Sequence, residues 1–259
     1  MLLSAFDGNS LGAEFVQFKP IDFDGSKTLS HTLNARTVTF TADWYAVEGG
    51  KRSRAAALDE WEKLQWVFSP GDAGVLTWTN GTDIRTIECY ANEIPVLHEK
   101  TRGLFSADFT LTADYPLWKG SVLHSAVFNG RFTMELVEIE NTCPVFVPPL
   151  IKIEGGIVSL MRTNRAGKSY PDKTLEIDPS RCSADRAVYI DNEQQLVYQY
   201  SPDDTGKRLN RNYSLTPFSD FFSLYPGVNG IVLTMNANVG DAETTVTFNW
   251  WDRYLGVSK

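Results

Sequence analysis

The stretch Thr37-Val38-Thr39-Phe40-Thr41-Ala42-Asp43-Trp44 alternates strictly: Val38, Phe40, Ala42 and Trp44 fall on one side of an extended chain, Thr37, Thr39, Thr41 and Asp43 on the other. Successive strand side chains point to opposite faces, so this reads as a half-buried antiparallel strand with one side on a core. A second alternating run sets Phe105, Ala107, Phe109, Leu111 and Ala113 against Ser106, Asp108, Thr110 and Thr112. Between the two, residues 75–79 run through Asn80-Gly81 into residues 82–90. Asn-Gly supplies two positions tolerant of positive φ and predicts a type I′ hairpin.

One segment breaks this period. From residue 53 to 68, Ala57, Trp61, Leu64 and Phe68 recur at spacings of four, three and four, which predicts one amphipathic helix lying on a sheet. Asp59 and Lys63 are placed to pair across a turn. Ser69-Pro70-Gly71 ends the helix, because proline cannot continue it and disfavours helix in the residue before it.

After Ala113 the pattern changes. Asp114-Tyr115-Pro116-Leu117-Trp118-Lys119-Gly120 reads as an exit loop, and prolines 144, 148 and 149 cluster before Leu150. A boundary near residue 122 is expected, giving domains 1–122 and 123–259. The second holds short apolar runs at 150–153, 157–161, 187–190, 196–200, 231–235 and 245–251, separated by Gly, Asp, Asn and Pro. Short strands with such turns and no helical period indicate a β-sandwich.

Composition narrows the function. With 24 basic and 32 acidic residues the net charge is -8. Residues 1–122 hold 11 and 16 of these and the remainder 13 and 16, so both parts repel phosphate. No basic stretch exceeds Lys51-Arg52-Ser53-Arg54, and a sequence-specific nucleic-acid partner is not expected. No run approaches the ~18 apolar residues that would span a bilayer, so no membrane partner is expected. Met1 to Phe15 lacks a basic leader and carries Asp7 and Glu14, so folding in a cytoplasm is the expectation. Cys89, Cys143 and Cys182 lie far apart with no C-x-x-C pair, which argues against a disulfide framework.

Fragments of catalytic motifs fail on spacing. Gly167-Lys168-Ser169 ends like a phosphate loop, but Arg162 stands where its first glycine belongs. Asp22-Phe23-Asp24-Gly25 lacks a third acidic ligand and has Leu33 at the bidentate position of a calcium loop. His98-Glu99 would need its second histidine at Arg102. His31, His98 and His124 stand without a nucleophile motif, and no two carboxylates are marked out as a glycosidase pair. Catalytic, cofactor and metal residues are therefore expected to be none. Saccharide binding is the better-motivated rival: Trp250 and Trp251 adjoin in a strand and face opposite ways, leaving Trp251 as a candidate exposed aromatic. A galectin-type His-x-Asn-x-Arg face is not formed, since His31, Asn34 and Arg36 are one residue too widely spaced.

The order of features resembles the distal tail protein (Dit) family of phage tails and related particles, over nearly the whole chain. The carriers are the strand 37–44, a basic turn, the helix with Ala57-Leu58-Asp59-Glu60-Trp61-Glu62-Lys63-Leu64, then Gly74-Val75-Leu76-Thr77-Trp78 and its hairpin. The exit Ala113-Asp114-Tyr115-Pro116-Leu117-Trp118 and the turn Leu224-Tyr225-Pro226-Gly227-Val228-Asn229-Gly230 complete the set. Leu117 replaces a family phenylalanine, and Tyr115 is inserted between Asp114 and Pro116. By this resemblance the first domain would be a ring-forming β-sandwich with a helix and a hairpin arm, and the second a galectin-like jelly roll. The chain would be a structural protein of the virion tail, a homo-hexameric hub between tail tube and tail tip. Its partners would be the tube protein, the tail-associated lysin or tip protein, and receptor-binding proteins. Trp44, Lys51, Arg52 and Arg54 are then the candidates for subunit contact. Asn80, Gly81, Pro226, Gly227 and Asn229 are expected in structural turns, with Gly227 and Asn229 tolerating left-handed backbone.

Overall fold

The computed structural model describes residues 2–8, 13–18, 27–156, 158–164, 172–183, 185–235 and 243–257. The Asp22–Gly25 and Gly167–Ser169 fragments, and the side chain of His31, lie outside the described residues. Two compact units result, Met1–Lys119 with Tyr254–Lys259, and Gly120–Arg253.

In the first unit the elements run β1 (Leu2–Asp7), β2 (Ala13–Phe18), β3 (Lys27–Leu33), β4 (Arg36–Trp44), β5 (Ala46–Glu48), β6 (Lys51–Ser53), α1 (Arg54–Val67), β7 (Ala73–Asn80), β8 (Asp83–Ala91), β9 (Leu97–Thr101) and β10 (Leu104–Ala113). The sheet orders β1-β4-β10-β8, with β7 on β8 and β9 on β10. Alternation does what the sequence predicts. Val38, Phe40, Ala42 and Trp44 on β4 and Phe105, Ala107, Phe109 and Leu111 on β10 are buried together. The two strands pair in register from Phe105–Trp44 to Ala113–Arg36, which sets Phe109 directly opposite Phe40, stacked at 4.6 Å.

The helix begins one residue after its predicted start and ends one before its predicted end. Ser53 accepts a hydrogen bond from the Ala56 N–H at 3.3 Å, a cap that satisfies one of the four free donors of the first turn. Only Ala57 and Trp61 of the helix are buried. Trp61 stacks on Trp44 at 5.1 Å and meets Phe109 edge-on, and Phe68 beyond the helix closes on Phe109 at 4.6 Å. This aromatic cluster fastens the helix to the sheet. Aromatic pairs of this kind contribute about 0.5–1.5 kcal/mol beyond area burial. Asp59 and Lys63, expected to pair, are exposed and share no ion pair.

The second unit uses β11 (Trp118–Gly130), β12 (Glu135–Asn141), β13 (Leu150–Glu154), β14 (Val158–Asn164), β15 (Thr174–Glu176), β16 (Val188–Asp191), β17 (Leu196–Tyr200), β18 (Arg208–Asn210), β19 (Gly227–Met235) and β20 (Thr244–Tyr254). One sheet orders β11-β20-β13-β16-β17-β18, the other β12-β19-β14-β15. Ile151, Ile153, Val188, Ile190, Val246 and Phe248 of the first meet Ile139, Met161, Leu175, Ile231 and Leu233 of the second in one core. That is a β-sandwich, and the chain as a whole is mainly β with a single α-helix among the described residues. No described helix is long and apolar enough to cross a membrane.

Candidate functional site

The basic turn before the helix is a hairpin. β5 and β6 pair from Ala46–Ser53 to Glu48–Lys51 around Gly49-Gly50, whose φ values of 57° and 76° are both positive. This two-residue loop matches the twist of its strands as a type I′ turn does, and glycine adopts both positive-φ positions at no steric cost. Ser53 fixes the hairpin to the helix: besides capping Ala56, its hydroxyl donates to Glu48 Oε2 at 2.9 Å. Lys51 and Arg52 are thereby exposed just ahead of the helix. The Arg52 guanidinium lies 4.9 Å from the Tyr45 ring centre, and Arg54 pairs with Glu99 at 3.1 Å. Glu99 also accepts the Gly103 N–H, and this bond, followed by Arg54, holds its carboxyl below the usual carboxylate range. Trp44, the fourth interface candidate, does not join this group. It is 3% exposed and sits under Trp61, because its position in the alternation points it into the core.

The Asn80-Gly81 hairpin differs in detail from its expectation. Asn80 pairs with Asp83, so the loop is Gly81-Thr82, and only Gly81 has positive φ. Positive φ at the first loop position alone is the type II′ pattern, so the turn sits one residue later and is of the other primed type.

In the second unit Pro226-Gly227 turns the chain into β19, with Gly227 at φ 88° as the third residue of a type II turn requires. Asn229 acts through its side chain and not through left-handed backbone. Its Oδ1 accepts from the Tyr225 N–H at 2.8 Å, while Nδ2 donates to the carbonyls of Tyr225 at 2.7 Å and Gly227 at 2.8 Å. The adjacent tryptophans divide as their positions demand: Trp250 is buried and stacks on His124 at 5.5 Å, and Trp251 is half-buried.

A cysteine, a histidine and an aspartate meet here, but not as a nucleophile and its base. Cys143 Sγ donates to Asp252 Oδ1 at 2.8 Å, and His124 Nε2 meets that same oxygen at 2.8 Å. Burial, then the Asp252 hydrogen bond, pushes the Cys143 thiol up to about 12. A thiol held protonated by a carboxylate is a hydrogen-bond donor and not an attacking group. Among the described residues no three His, Cys, Asp or Glu side chains are grouped to hold a metal ion.

Arg36 had no signal in the sequence. Fully buried, it donates from Nε to the Pro116 carbonyl at 2.6 Å and from its two terminal nitrogens to the carbonyls of Gly8 and Leu255. Its partners lie 28, 80 and 219 residues away in the chain, beyond the reach of any periodicity. Burial draws its guanidinium below the ordinary arginine value, and Asp7 partly restores it.

Of known structures, the crystal structure of the Dit protein (gp 19.1) of phage SPP1 aligns over 98% of this chain and 93% of its own, with a TM-score of 0.64 at 14% identity. The chain shares that protein's fold. SPP1 Dit is described as a paradigm of the hub adsorption apparatus in phages infecting Gram-positive bacteria. The phage P2 baseplate in its activated conformation with calcium aligns over 98% of this chain and 91% of its own, with a TM-score of 0.46 at 7% identity. No protein-family model matches the sequence, and no curated protein matches it.

Proposed function

We propose that this chain is a structural distal tail protein of a phage or phage-like particle, six copies of which form a ring that joins the tail tube to the tail tip and anchors host-adsorption proteins. The carrying observation is the fold shared with SPP1 Dit over 98% of the chain. The basic hairpin supports it: Lys51 and Arg52 are presented on a capped mount and enter no ion pair among the described residues. Charge held outward in this way suits a contact with another copy or with a tail partner. Trp66 and Val67, 83% and 72% exposed at the end of the helix, add apolar area to the same unit.

Negative-stain electron microscopy and light scattering of the full chain test this. A six-fold annulus of matching mass is the expected result. A protein that stays single at every concentration, with or without tube protein, overturns the reading. Reversing Arg52 and Arg54 to glutamate is expected to weaken the ring, and unchanged mass would remove both from the contact.

A further inference from the structure

Asparagine followed by glycine is a chemically labile pair, because no side chain on the glycine shields its backbone nitrogen. That nitrogen attacks the carboxamide carbon of the asparagine. A C–N bond forms, the bond to the amide nitrogen breaks, and ammonia leaves carrying the proton that the glycine nitrogen gives up. Water then opens the cyclic succinimide at either carbonyl, giving aspartate or isoaspartate. Water is the one co-reactant, and mild base speeds the first step by removing the glycine N–H proton.

The chain has three such pairs, Asn80-Gly81, Asn129-Gly130 and Asn229-Gly230, and the fold treats them differently. Asn229 is held at both ends of its carboxamide, by the Tyr225 N–H and by the carbonyls of Tyr225 and Gly227. Gly230 is paired on both sides, with Glu138 of β12 and Asn164 of β14, and a Cβ on it would stand 3.1 Å from Leu136. Its nitrogen is committed to the sheet and crowded. Asn129 Oδ1 accepts from the Thr245 hydroxyl at 2.7 Å. Asn80 has none of these restraints. It is exposed, and its carboxamide makes no hydrogen bond among the described residues. The two-residue loop closes on the pair Asn80–Asp83, so the Gly81 N–H lies inside the loop and outside the ladder. A Cβ on Gly81 would meet nothing within 4 Å, so the approach to its nitrogen is open.

We propose that Asn80 is a site of spontaneous deamidation, by which the tip of the β7–β8 hairpin ages from a neutral amide to aspartate or isoaspartate. The product acts on the strand pair that closes the loop. Asn80 stands opposite Asp83, whose carboxylate pairs with Arg85 at 2.6 Å. A carboxylate at position 80 sets like charges across the ladder, which weakens the pair, and adds one negative charge to the net -8. Isoaspartate also threads a side-chain methylene into the backbone beside a loop whose twist depends on having two residues. The site is independent of the ring reading above.

The full chain, kept folded in mildly alkaline buffer, is sampled over weeks, digested in acid to preserve the product, and read by peptide mass spectrometry. An isoaspartyl methyltransferase supplies the second readout. The peptide bearing Asn80 is expected to exchange its amide NH2 for a hydroxyl and to become a methyl acceptor. Its rate is expected to exceed that of the Asn229 peptide by about tenfold or more, since several hydrogen bonds must break first at Asn229. Asn80→Ser is expected to abolish the signal. Equal rates at the three pairs overturn the proposal, as does a folded chain whose Asn80 stays intact while the urea-unfolded chain is modified. The consequence is read in urea unfolding. Asn80→Asp is expected to lower the midpoint of the first unit relative to Asn80→Ser, and the gap is expected to close in high salt, where exposed like charges are screened. Equal midpoints at low salt overturn the claimed weakening of the hairpin.

Discussion

Two sheets of this molecule end differently. The border strand β12 of the second unit places Glu135, Glu138 and Glu140 along its length, and β18 is cut to three residues. The face made by β13, β16, β17 and β18 is sealed from within: Tyr189 stacks on Tyr198 at 5.1 Å, Tyr200 meets both edge-on, and Arg208 covers Tyr198 at 4.6 Å. Tyr198 is left 2% exposed and its hydroxyl is pushed up to about 12, mainly by burial. The first unit instead leaves β7 uncharged, with β8 its one partner among the described strands. A guarded border is compatible with solvent on its far side, whereas an unguarded one is stable against aggregation only when something specific covers it. On the proposed reading, this contrast would assign the contact between copies to the first unit.

The sharpest way to break this comparison is the loss of assembly, read by light scattering, expected from Thr77→Pro or Thr77→Lys on β7, which an equivalent Glu138→Lys change on β12 is not expected to reproduce. Next in size, Trp61→Ala removes the stack on Trp44 and is expected to destabilise the first unit by about 3–5 kcal/mol in urea unfolding. A loss below about 1 kcal/mol would show that the helix is not fastened by this cluster. Glu193→Gln leaves the Arg253 guanidinium, 5% exposed and held at 2.6 and 2.7 Å, without its carboxylate. With Glu193 34% exposed, water partly compensates, and a cost of about 1–3 kcal/mol is expected in the second unit's transition. Asn229→Ala opens the clasp over the Pro226-Gly227 turn, with an expected cost of about 1–2 kcal/mol and no change in assembled mass.

The smallest effect concerns Cys143. Its folded value of about 12 lies above its ordinary 9.0, so the thiol's contribution is fully present below pH 9 and is lost as pH rises from 9 toward 12. Stability measured from pH 8 to 11 is expected to fall less in Cys143→Ala than in the parent. At pH 8 the thiol is expected to react with iodoacetamide far more slowly than a free cysteine, and rapid alkylation of the folded protein would contradict the Asp252 hydrogen bond.

What the sequence discloses here follows from range. Alternation at 37–44 and the four-three-four spacing of Ala57, Trp61, Leu64 and Phe68 are local signals, and they place β4, β10 and α1 to within a residue or two at their ends. Turn chemistry was legible in kind but not in register. Gly81 has positive φ, and the pairing of Asn80 with Asp83 puts the loop at Gly81-Thr82, one position after the expected Asn80-Gly81. Gly49-Gly50, flanked by strand residues, carried the type I′ signal that Asn80-Gly81 was expected to carry. The candidate site was legible only in part. Lys51 and Arg52 are outward because a hairpin tip has nowhere else to put them, whereas Trp44 obeys the alternation of its strand and lies inside. The bonds of Arg36 and the single partner of β7 depend on which distant segments arrive and which do not, and no short window of residues records that.

The carbonyl of Leu255 accepts from Arg36, and Tyr254 lies 3.8 Å under the Arg85 guanidinium, so these late residues belong to the first unit. A ribosome therefore cannot finish that unit until all of the second has been translated. The nascent polypeptide would carry β7 on an unfinished body until residues 254 and 255 have emerged.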